Sequence, residues 1–270
     1  MKRLTDAGYW EEQWWKGARP RRLWLFRDFD FETVRLLGRA IHVARRGSER
    51  DSVRVLELGA GGSRVMPYLA RRFGCRVFGT DFSFAGCRLL AANLSLQKVE
   101  GRIVCEDMFE SSISASTFDV VYSSGLVEHF DDTRAALAEH MRVLRPGGQL
   151  VIIVPNFQGI QGCIWHRLAP PIWRLHRVFG PADLAGYFRD LGFKGVCSGY
   201  LGSFFIHVGR GEEWTQVARW PGPIQTLSHY SVRLTSGLMS LFFRWSPLRP
   251  HTKMFSPAFF ALGTKPQSEV

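Results

Sequence analysis

Glycines and acidic residues between positions 57 and 81 are the most informative group in this sequence of 270 residues. Gly59 and Gly61 follow a short apolar run, and Asp81 lies 20 residues beyond Gly61. Glycine lets the backbone turn tightly and approach a ligand, and a helix that begins there points its N-terminus at the ligand. An acidic side chain after the next strand is suited to hold ribose hydroxyls. The spacing therefore predicts a site for a nucleoside cofactor.

Elements that position these residues are visible as short apolar runs alternating with helical segments. The predicted strands cover residues 53–57, 76–80, 102–105, 118–122 and 149–154. Helical spacing lies between them, near residues 63–73, 83–97 and 131–144. This alternation predicts βαβ units and a parallel, doubly wound α/β sheet. Ligands of such sheets bind beyond the carboxyl ends of the strands, where Glu57, Gly59, Asp81, Asp107 and Ser124 fall.

Ordered motifs along residues 50–155 resemble those of the class I S-adenosylmethionine-dependent methyltransferases of the bacterial small-molecule type. The run Glu57-Leu58-Gly59-Ala60-Gly61 has the acidic-Gly-x-Gly form of that family's first motif and departs from the Gly-x-Gly-x-x-Gly of dinucleotide sites. The further landmarks follow in order at residues 79–83, 105–109, 118–130 and 144–150. The resemblance implies a seven-stranded, mostly parallel Rossmann-like sheet.

The resemblance also implies S-adenosyl-L-methionine as the cofactor. It assigns eight residues to cofactor binding: Glu57, Gly59, Gly61, Asp81, Phe82, Asp107, Met108 and Ser124. Asp81 would bind the ribose hydroxyls, and Asp107 would accept from the adenine amino group. Phe82 or Met108 would pack on the adenine ring. Glu57 would orient the loop or the cofactor's ammonium, and the glycines would admit its methionine part.

His129 is the predicted catalytic residue. Methyl transfer from a sulfonium is an in-line displacement that needs position and an unprotonated nucleophile, and a base assists a hydroxyl acceptor. Histidine titrates in the useful range, and Glu128 or Asp131 could orient its ring. The alternative is a loop histidine that shapes the site without proton transfer. Tyr9, Trp10 and Glu128 are predicted to contact the substrate.

The acceptor is predicted to be a hydroxyl or thiol of a small molecule that is apolar or anionic. Residues 123–126 lack the Asp/Asn-Pro-Pro-Tyr/Phe motif of enzymes that methylate nucleic-acid amino groups, and no RNA-binding module is visible. We therefore expect no nucleic-acid partner. Three alternatives remain: a quinone or lipid-intermediate methyltransferase at a membrane surface, a nucleotide-binding oxidoreductase, and a non-catalytic protein of the same fold.

The predicted organisation has four parts. Residues 1–47 form an N-terminal helical lid, 48–202 the cofactor-binding core, 203–255 a cap insertion, and 256–270 the last strand and tail. The aromatic residues Tyr9, Trp10, Trp14 and Trp15 resemble the lid of this family. The insertion stands where the family has a short hairpin. A cap over an apolar pocket, a homodimer contact and a membrane contact are its alternative roles.

Composition and charge indicate the location of the protein and the kind of partner that it binds. No apolar run reaches the roughly 18 to 20 residues that span a bilayer, and the first residues lack the pattern of a signal peptide. The five cysteines are scattered, so we expect reduced thiols, no metal site and a cytoplasmic location, with a peripheral membrane contact as one alternative. Of the net charge of +11, residues 156–270 carry 12 Lys and Arg against 5 Asp and Glu. This excess favours an anionic substrate or membrane surface.

Overall fold

Seven strands form a single sheet in the computed structural model, which describes residues 2–15, 18–47, 51–209 and 213–267. The strands are β1 Arg54–Leu58, β2 Arg76–Asp81, β3 Gly101–Cys105, β4 Phe118–Ser124, β5 Leu144–Pro155, β6 Lys194–Leu201 and β7 Ala258–Thr264. Their order across the sheet is β3-β2-β1-β4-β5-β7-β6. β7 runs antiparallel to both β5 and β6, and the other pairs are parallel. The predicted seven-stranded, mostly parallel sheet is confirmed.

Nine α-helices flank the sheet in the described residues. They are α1 Ala7–Trp15, α2 Asp28–Arg46, α3 Val65–Phe73, α4 Phe84–Leu96, α5 Thr133–Val143, α6 Ile160–Leu168, α7 Pro170–Trp173, α8 Pro181–Asp190 and α9 Gly222–Trp245. Side chains cap two of the crossover helices: Ser83 accepts from the amide of Gly86, and Asp132 accepts from the amide of Ala135. Such caps satisfy free amides in the first turn and define where these helices begin.

Strand β5 begins earlier than the sequence pattern predicts. The pattern places the run Pro146-Gly147-Gly148 between a helix and the strand, yet β5 extends from Leu144 through this run. The chain after β7 explains the difference, because the amide of Gly147 donates to the carbonyl of Lys265 and the amide of Lys265 donates to Gly148. Pairing with a distant segment draws the glycines into the ladder.

Apolar residues fill both faces of the sheet. On one face Val55 packs with Leu37 and Ile41 of α2, and on the other Leu56 packs with Leu150 and Phe188. Neighbouring residues of a strand point to opposite faces, so a parallel sheet covered on both sides reads as a continuous apolar run. The covered sheet holds the carboxyl ends of β1, β2 and β4 side by side.

The predicted lid, residues 1–47, divides into two parts with different positions. Helix α2 lies against the sheet and contributes Leu37 and Ile41 to the core, so it belongs to the scaffold. Helix α1 packs on α4, where the Glu11 carboxylate accepts hydrogen bonds from the amides of Phe84 and Ala85. The lid therefore stays a prediction only for the segment that includes α1. Residues 16 and 17 of the predicted lid lie outside the described residues.

The insertion at 203–255 contains a short 3₁₀ turn, Val217–Arg219, followed by the long helix α9. Helix α9 packs on α2, where the Ser240 hydroxyl accepts from the amide of Asp28. Beyond the helix, Arg249 forms an ion pair with Glu32 at 3.0 Å. Of the helices among the described residues, none combines the length and apolarity that crossing a bilayer requires.

Candidate active site

A cavity of about 390 Å³ lies at the carboxyl ends of the parallel strands. All eight residues predicted to bind the cofactor line it: Glu57, Gly59, Gly61, Asp81, Phe82, Asp107, Met108 and Ser124. His129 and Trp10 also line this cavity. The strand order places β1 between β2 and β4, so residues far apart in the sequence meet at one end of the sheet.

The glycine loop after β1 forms a backbone cradle. Gly59 has φ of +70°, a conformation that side chains disfavour. Gly61 donates its amide to Asp81 Oδ2 at 2.7 Å. A Cβ atom at Gly61 would lie 2.8 Å from that same oxygen and 2.9 Å from Trp14 Nε1. Any side chain at this position would therefore clash with Asp81 and with Trp14 of α1.

Asp81 is the acidic group at the end of β2. One of its oxygens accepts from the amide of Gly61, and the other accepts from the amide of Ser83 at 2.8 Å. Burial raises the pKa of this carboxyl, although the two amides oppose the shift. A carboxylate oxygen has two acceptor sites. Each oxygen of Asp81 therefore keeps one site for a ribose hydroxyl.

Glu57 lies inside the end of β1 and is buried. Its Oε2 accepts a hydrogen bond of 2.6 Å from the Tyr122 hydroxyl. Burial raises the pKa of Glu57 to about 7, while hydrogen bonds from Ser63 and Tyr122 oppose the shift. A carboxyl held at this position suits an ammonium group, because a nearby cation would favour its ionised form.

Arg3 is a cavity residue that no sequence pattern reveals. Its guanidinium forms an ion pair with Asp107 and lies 5.3 Å from the centre of the Phe82 ring. Burial raises the pKa of Asp107, but hydrogen bonds from Arg3 and from the amide of Phe109 outweigh it and hold the pKa below its usual value. An arginine near the chain start carries no spacing signal, so only the fold brings it to the predicted adenine side.

His129 lines the cavity, and one of its ring nitrogens has a structural partner. Its Nδ1 donates to the carbonyl of Leu175 at 2.8 Å, which fixes the tautomer with a lone pair on Nε2. Burial lowers the pKa of His129 to about 3, and the neighbouring His176 acts in the same direction. The imidazole is therefore neutral throughout the physiological range.

Glu128 and Tyr9 occupy different places from those predicted, since neither is among the described residues that line the cavity. Glu128 is fully buried behind His129, with Oε1 at 3.8 Å from Nε2, and its two oxygens have no hydrogen-bond partner among the described residues. Burial raises the pKa of Glu128 to about 8. Tyr9 instead packs its ring edge-on against Trp10, at 5.2 Å.

Glu128 makes folding stability depend on pH. Its pKa is about 8 in the folded chain and near 4.5 when unfolded, so the folded state holds an extra proton between these values and loses stability as pH rises through that window. We expect the free energy of unfolding of the Glu128→Gln variant to increase relative to that of the native protein by about 1 kcal/mol per pH unit between pH 5 and 8. Urea unfolding at each pH measures the gap.

Glu110→Gln is the matched control for this experiment, because Glu110 is an exposed carboxyl. The stability of that variant should follow the native curve across the same pH range. A gap between Glu128→Gln and the native protein that stays constant with pH would contradict the raised pKa of Glu128.

Aromatic residues of α1 close one side of the cavity. The Trp14 ring lies against the glycine loop, since a Cβ atom at Gly62 would come within 3.0 Å of it. Trp10 stacks on Trp14 at 6.1 Å and meets His129 edge-on at 5.3 Å. No residue of 203–255 lines the cavity in the described part of that segment, so the predicted cap does not lie over it. Among the described residues, no group of metal-binding side chains is clustered.

The residues present fit S-adenosylmethionine. The glycines of the loop after β1 line the cavity without side chains of their own, and Asp81 retains acceptor sites for a ribose. Phe82 and Met108 offer apolar surface for a purine beside Asp107. Glu57 lies where a buried carboxyl can face an ammonium.

Comparisons with known proteins agree with this site. Residues 56–152 match the family described as Methyltransferase domain. Over 142 residues the chain is 32% identical to the phosphatidylethanolamine N-methyltransferase of Cereibacter sphaeroides, covering 50% of this chain and 66% of that protein. Over 106 residues it is 30% identical to the ubiquinone biosynthesis O-methyltransferase of Alkalilimnicola ehrlichii, covering 38% and 42%. The chain thus spans less than two thirds of these relatives' lengths.

Solved structures share the fold. A SAM-dependent methyltransferase from Archaeoglobus fulgidus superposes with a TM-score of 0.54 at 18% identity, over 96% of this chain and 100% of that one. The motif order, the strand order and the match over residues 56–152 agree with one another. The chain therefore contains a methyltransferase domain and has the fold of the class I S-adenosylmethionine-dependent methyltransferases.

Proposed function

We propose that this protein transfers a methyl group from S-adenosylmethionine to a hydroxyl or thiol of a small molecule. The observation that carries the proposal is a cavity that brings together two kinds of groups. The glycine loop and Asp81 line it, and so does a neutral histidine, His129. The bound cofactor supplies an electrophilic methyl group, and the chain supplies the position of the acceptor and a place for its proton.

His129 is suited to receive that proton. Because its Nδ1 is engaged by Leu175, its Nε2 lone pair is the available acceptor. A low pKa makes an isolated imidazole a weak base, but Glu128 lies 3.8 Å from Nε2 and would favour an imidazolium when it is ionised. We assign His129 as the catalytic residue and Glu128 as a positioning residue that acts through it.

Water exclusion is the role proposed for α1. Trp10 and Trp14 cover the glycine loop and the His129 ring, while Glu11 holds the helix on the first turn of α4. An apolar cover limits hydrolysis and holds the reacting groups in one arrangement. The aromatic lining also favours an acceptor with apolar surface.

The acceptor atom has two supported candidates in the names of the relatives. One relative carries an O-methyltransferase name and the other an N-methyltransferase name, and both names refer to lipids, ubiquinone and phosphatidylethanolamine. A quinone or lipid intermediate at a membrane surface is therefore the second candidate function. The aromatic lining and the basic C-terminal part support it. A homodimer through residues 203–255 is an alternative role of that segment.

Isothermal calorimetry with S-adenosylhomocysteine and with a nicotinamide dinucleotide tests the proposal. We expect micromolar binding of the first and no binding of the second, because the loop lacks the dinucleotide glycine pattern. Radiolabelled S-adenosylmethionine offered with thiols, phenols, quinols and amines then identifies the acceptor class. Binding of the dinucleotide alone would favour the oxidoreductase. Absence of binding to both would favour the non-catalytic alternative.

A further inference from the structure

Helix α9 exposes an apolar stripe along its outer face. Leu227, Leu234, Leu238 and Trp245 are each between 58% and 69% exposed. Their spacing of seven, four and seven residues places them on one side of the helix. These side chains form one apolar patch along a helix of 24 residues, whereas the exposed leucines of an ordinary protein surface are scattered singly.

The buried residues of the same helix are polar, while Val232 packs half-buried against the cluster that contains Trp214. Ser236 and Ser240 are the buried residues of α9. Ser236 exchanges hydrogen bonds with the amide and the carbonyl of Ile206, and Ser240 accepts from the amide of Asp28. A surface helix normally turns its apolar side to the core and its polar side to water. Helix α9 departs from this arrangement because most of its large apolar side chains are exposed, so its outer face is suited to apolar surroundings.

Two further exposed aromatic residues adjoin the C-terminal end of this stripe. Trp24 and Phe26 stack at 5.9 Å and are 61% and 59% exposed. Leu25, between them, accepts a hydrogen bond of 3.0 Å from Arg244 Nε of α9. This bond ties the two segments together. We call the outer face of α9, together with Trp24 and Phe26, the docking surface.

Basic residues lie in the segments that form the docking surface, and acidic residues are missing from those segments. The sequence has no Asp or Glu between residues 13 and 27 or between residues 214 and 268. Arg21, Arg22, Arg27 and Arg233 are exposed in these segments. Amphipathic helices with apolar residues on one side and arginines beside them bind in the interface of anionic membranes.

We propose that the docking surface binds the interface of an anionic lipid bilayer. The role of this contact in bringing the acceptor to the enzyme rests on the proposed function. Charge decides against a second copy as the occupant. A two-fold contact through α9 would bring identical basic segments together, and no acidic residue of α9 would be available to pair with them. A bilayer containing anionic lipid supplies both the apolar phase and the opposite charge.

The position of the active-site cavity agrees with this orientation. Trp24 and Phe26 also line a groove of about 450 Å³. That groove and the cavity share Trp14, Asp30 and Arg64 in their linings. A bilayer at the docking surface would therefore lie beside residues that also line the cavity that contains His129. The acceptor class that fits is an amphiphile with an apolar tail and a methylatable head.

Vesicle co-sedimentation of the full chain tests the proposal. We expect binding to vesicles of phosphatidylcholine mixed with phosphatidylglycerol, and at least about 10-fold weaker binding to phosphatidylcholine alone. Leu234→Gln combined with Leu238→Gln should weaken the first binding by at least about 10-fold, since it removes two apolar side chains from the interface. These residues are exposed, so the fold should persist. The matched control combines Val43→Gln with Val104→Gln, at exposed positions of α2 and β3.

The basic residues have their own test. Arg21→Gln combined with Arg22→Gln should weaken binding to the anionic vesicles by at least about 10-fold and reduce its dependence on salt. Binding to phosphatidylcholine should not change. Equal binding of this variant and the native protein to anionic vesicles would overturn the charge part of the proposal.

Two further measurements separate the possible failures. Analytical sedimentation tests whether the native protein is a dimer that the two leucine replacements dissociate. Such a dimer, together with no binding to vesicles, would overturn the proposal in favour of a second copy. Calorimetry with S-adenosylhomocysteine on the same samples tests the proposed function independently. Binding of this ligand without vesicle binding would overturn only the membrane contact. Vesicle binding without the ligand would uphold the contact and count against the proposed function.

Discussion

Replacement of Asp81 by alanine is expected to weaken the binding of S-adenosylhomocysteine by at least about 100-fold. The carboxylate keeps one acceptor site on each oxygen for the ribose, and a hydrogen bond to a charged group contributes about 1.5 to 3 kcal/mol. The same side chain also holds the amides of Gly61 and Ser83. The variant would therefore lose ligand contacts and the arrangement of the glycine loop together. Isothermal calorimetry measures the loss.

Folding must be followed in parallel, because Asp81 also serves the native structure. Removing it leaves two backbone amides without their acceptor, at a cost of about 1 to 3 kcal/mol in the free energy of unfolding. Asp81→Asn keeps one acceptor oxygen and should fold closer to the native protein while binding the ligand poorly. Asp190→Asn, at an exposed carboxyl outside the cavity lining, is the matched control. Native affinity in a folded Asp81→Ala protein would remove Asp81 from the cofactor site.

Replacement of His129 is expected to lower turnover by about 100-fold or more while leaving the affinity for S-adenosylhomocysteine within about 3-fold, since a positioned base contributes roughly 10² to 10⁴ in rate. Two variants separate the roles of the ring nitrogens. His129→Asn offers an amide that can replace the Nδ1 donor to Leu175 but has no counterpart of the Nε2 lone pair. His129→Ala removes both. Methylation rates of the two variants should be similarly low.

The pH dependence of turnover distinguishes this site from an ordinary histidine base. With a pKa of about 3, His129 stays neutral as pH falls from 8 to 5. The rate should therefore show no break near pH 6.5 of the kind that protonation of an exposed histidine base produces. Native turnover in the His129→Asn variant would exclude a catalytic role for Nε2. If the His129→Ala variant were slow at the same time, His129 would have a structural role through its Nδ1 hydrogen bond.

Much of the cofactor half is predictable because its signals are local. A strand followed by a glycine turn and a helix is encoded in consecutive residues, and parallel strands must end at the same edge of the sheet. The spacing of Gly61 and Asp81 is therefore enough to place the two residues together. Their hydrogen bond of 2.7 Å follows from that topology.

Other parts of the site depend on contacts between distant segments. Arg3 reaches Asp107 across 104 residues of sequence, and no spacing rule links the two. The prediction that Glu128 faces the substrate rests on its being next to His129, but the 3₁₀ turn Val127–His129 directs it into the interior. Adjacent residues of a turn point in different directions, so adjacency in sequence does not assign both to the cavity.

The segment 203–255 shows the same limit. Its aromatic and apolar residues predict a cap over a pocket, since the sequence cannot tell an apolar side chain that faces the protein from one that faces outward. The packing of α9 on α2 decides this, because Ser236 and Ser240 occupy the inner face and leave Leu234 and Leu238 outside. Such an orientation is visible only when the partner surface is known.

Local patterns repeated in a known order were sufficient to identify the family, the sheet and the residues at the strand ends. The protonation of His129 and Glu128, the position of Arg3 and the orientation of α9 required the folded chain. Burial and charge neighbours set pKa values, and both arise only when distant segments pack together. The glycine loop can therefore be predicted from consecutive residues. The protonation states of His129 and Glu128 beside it are determined only in the folded protein.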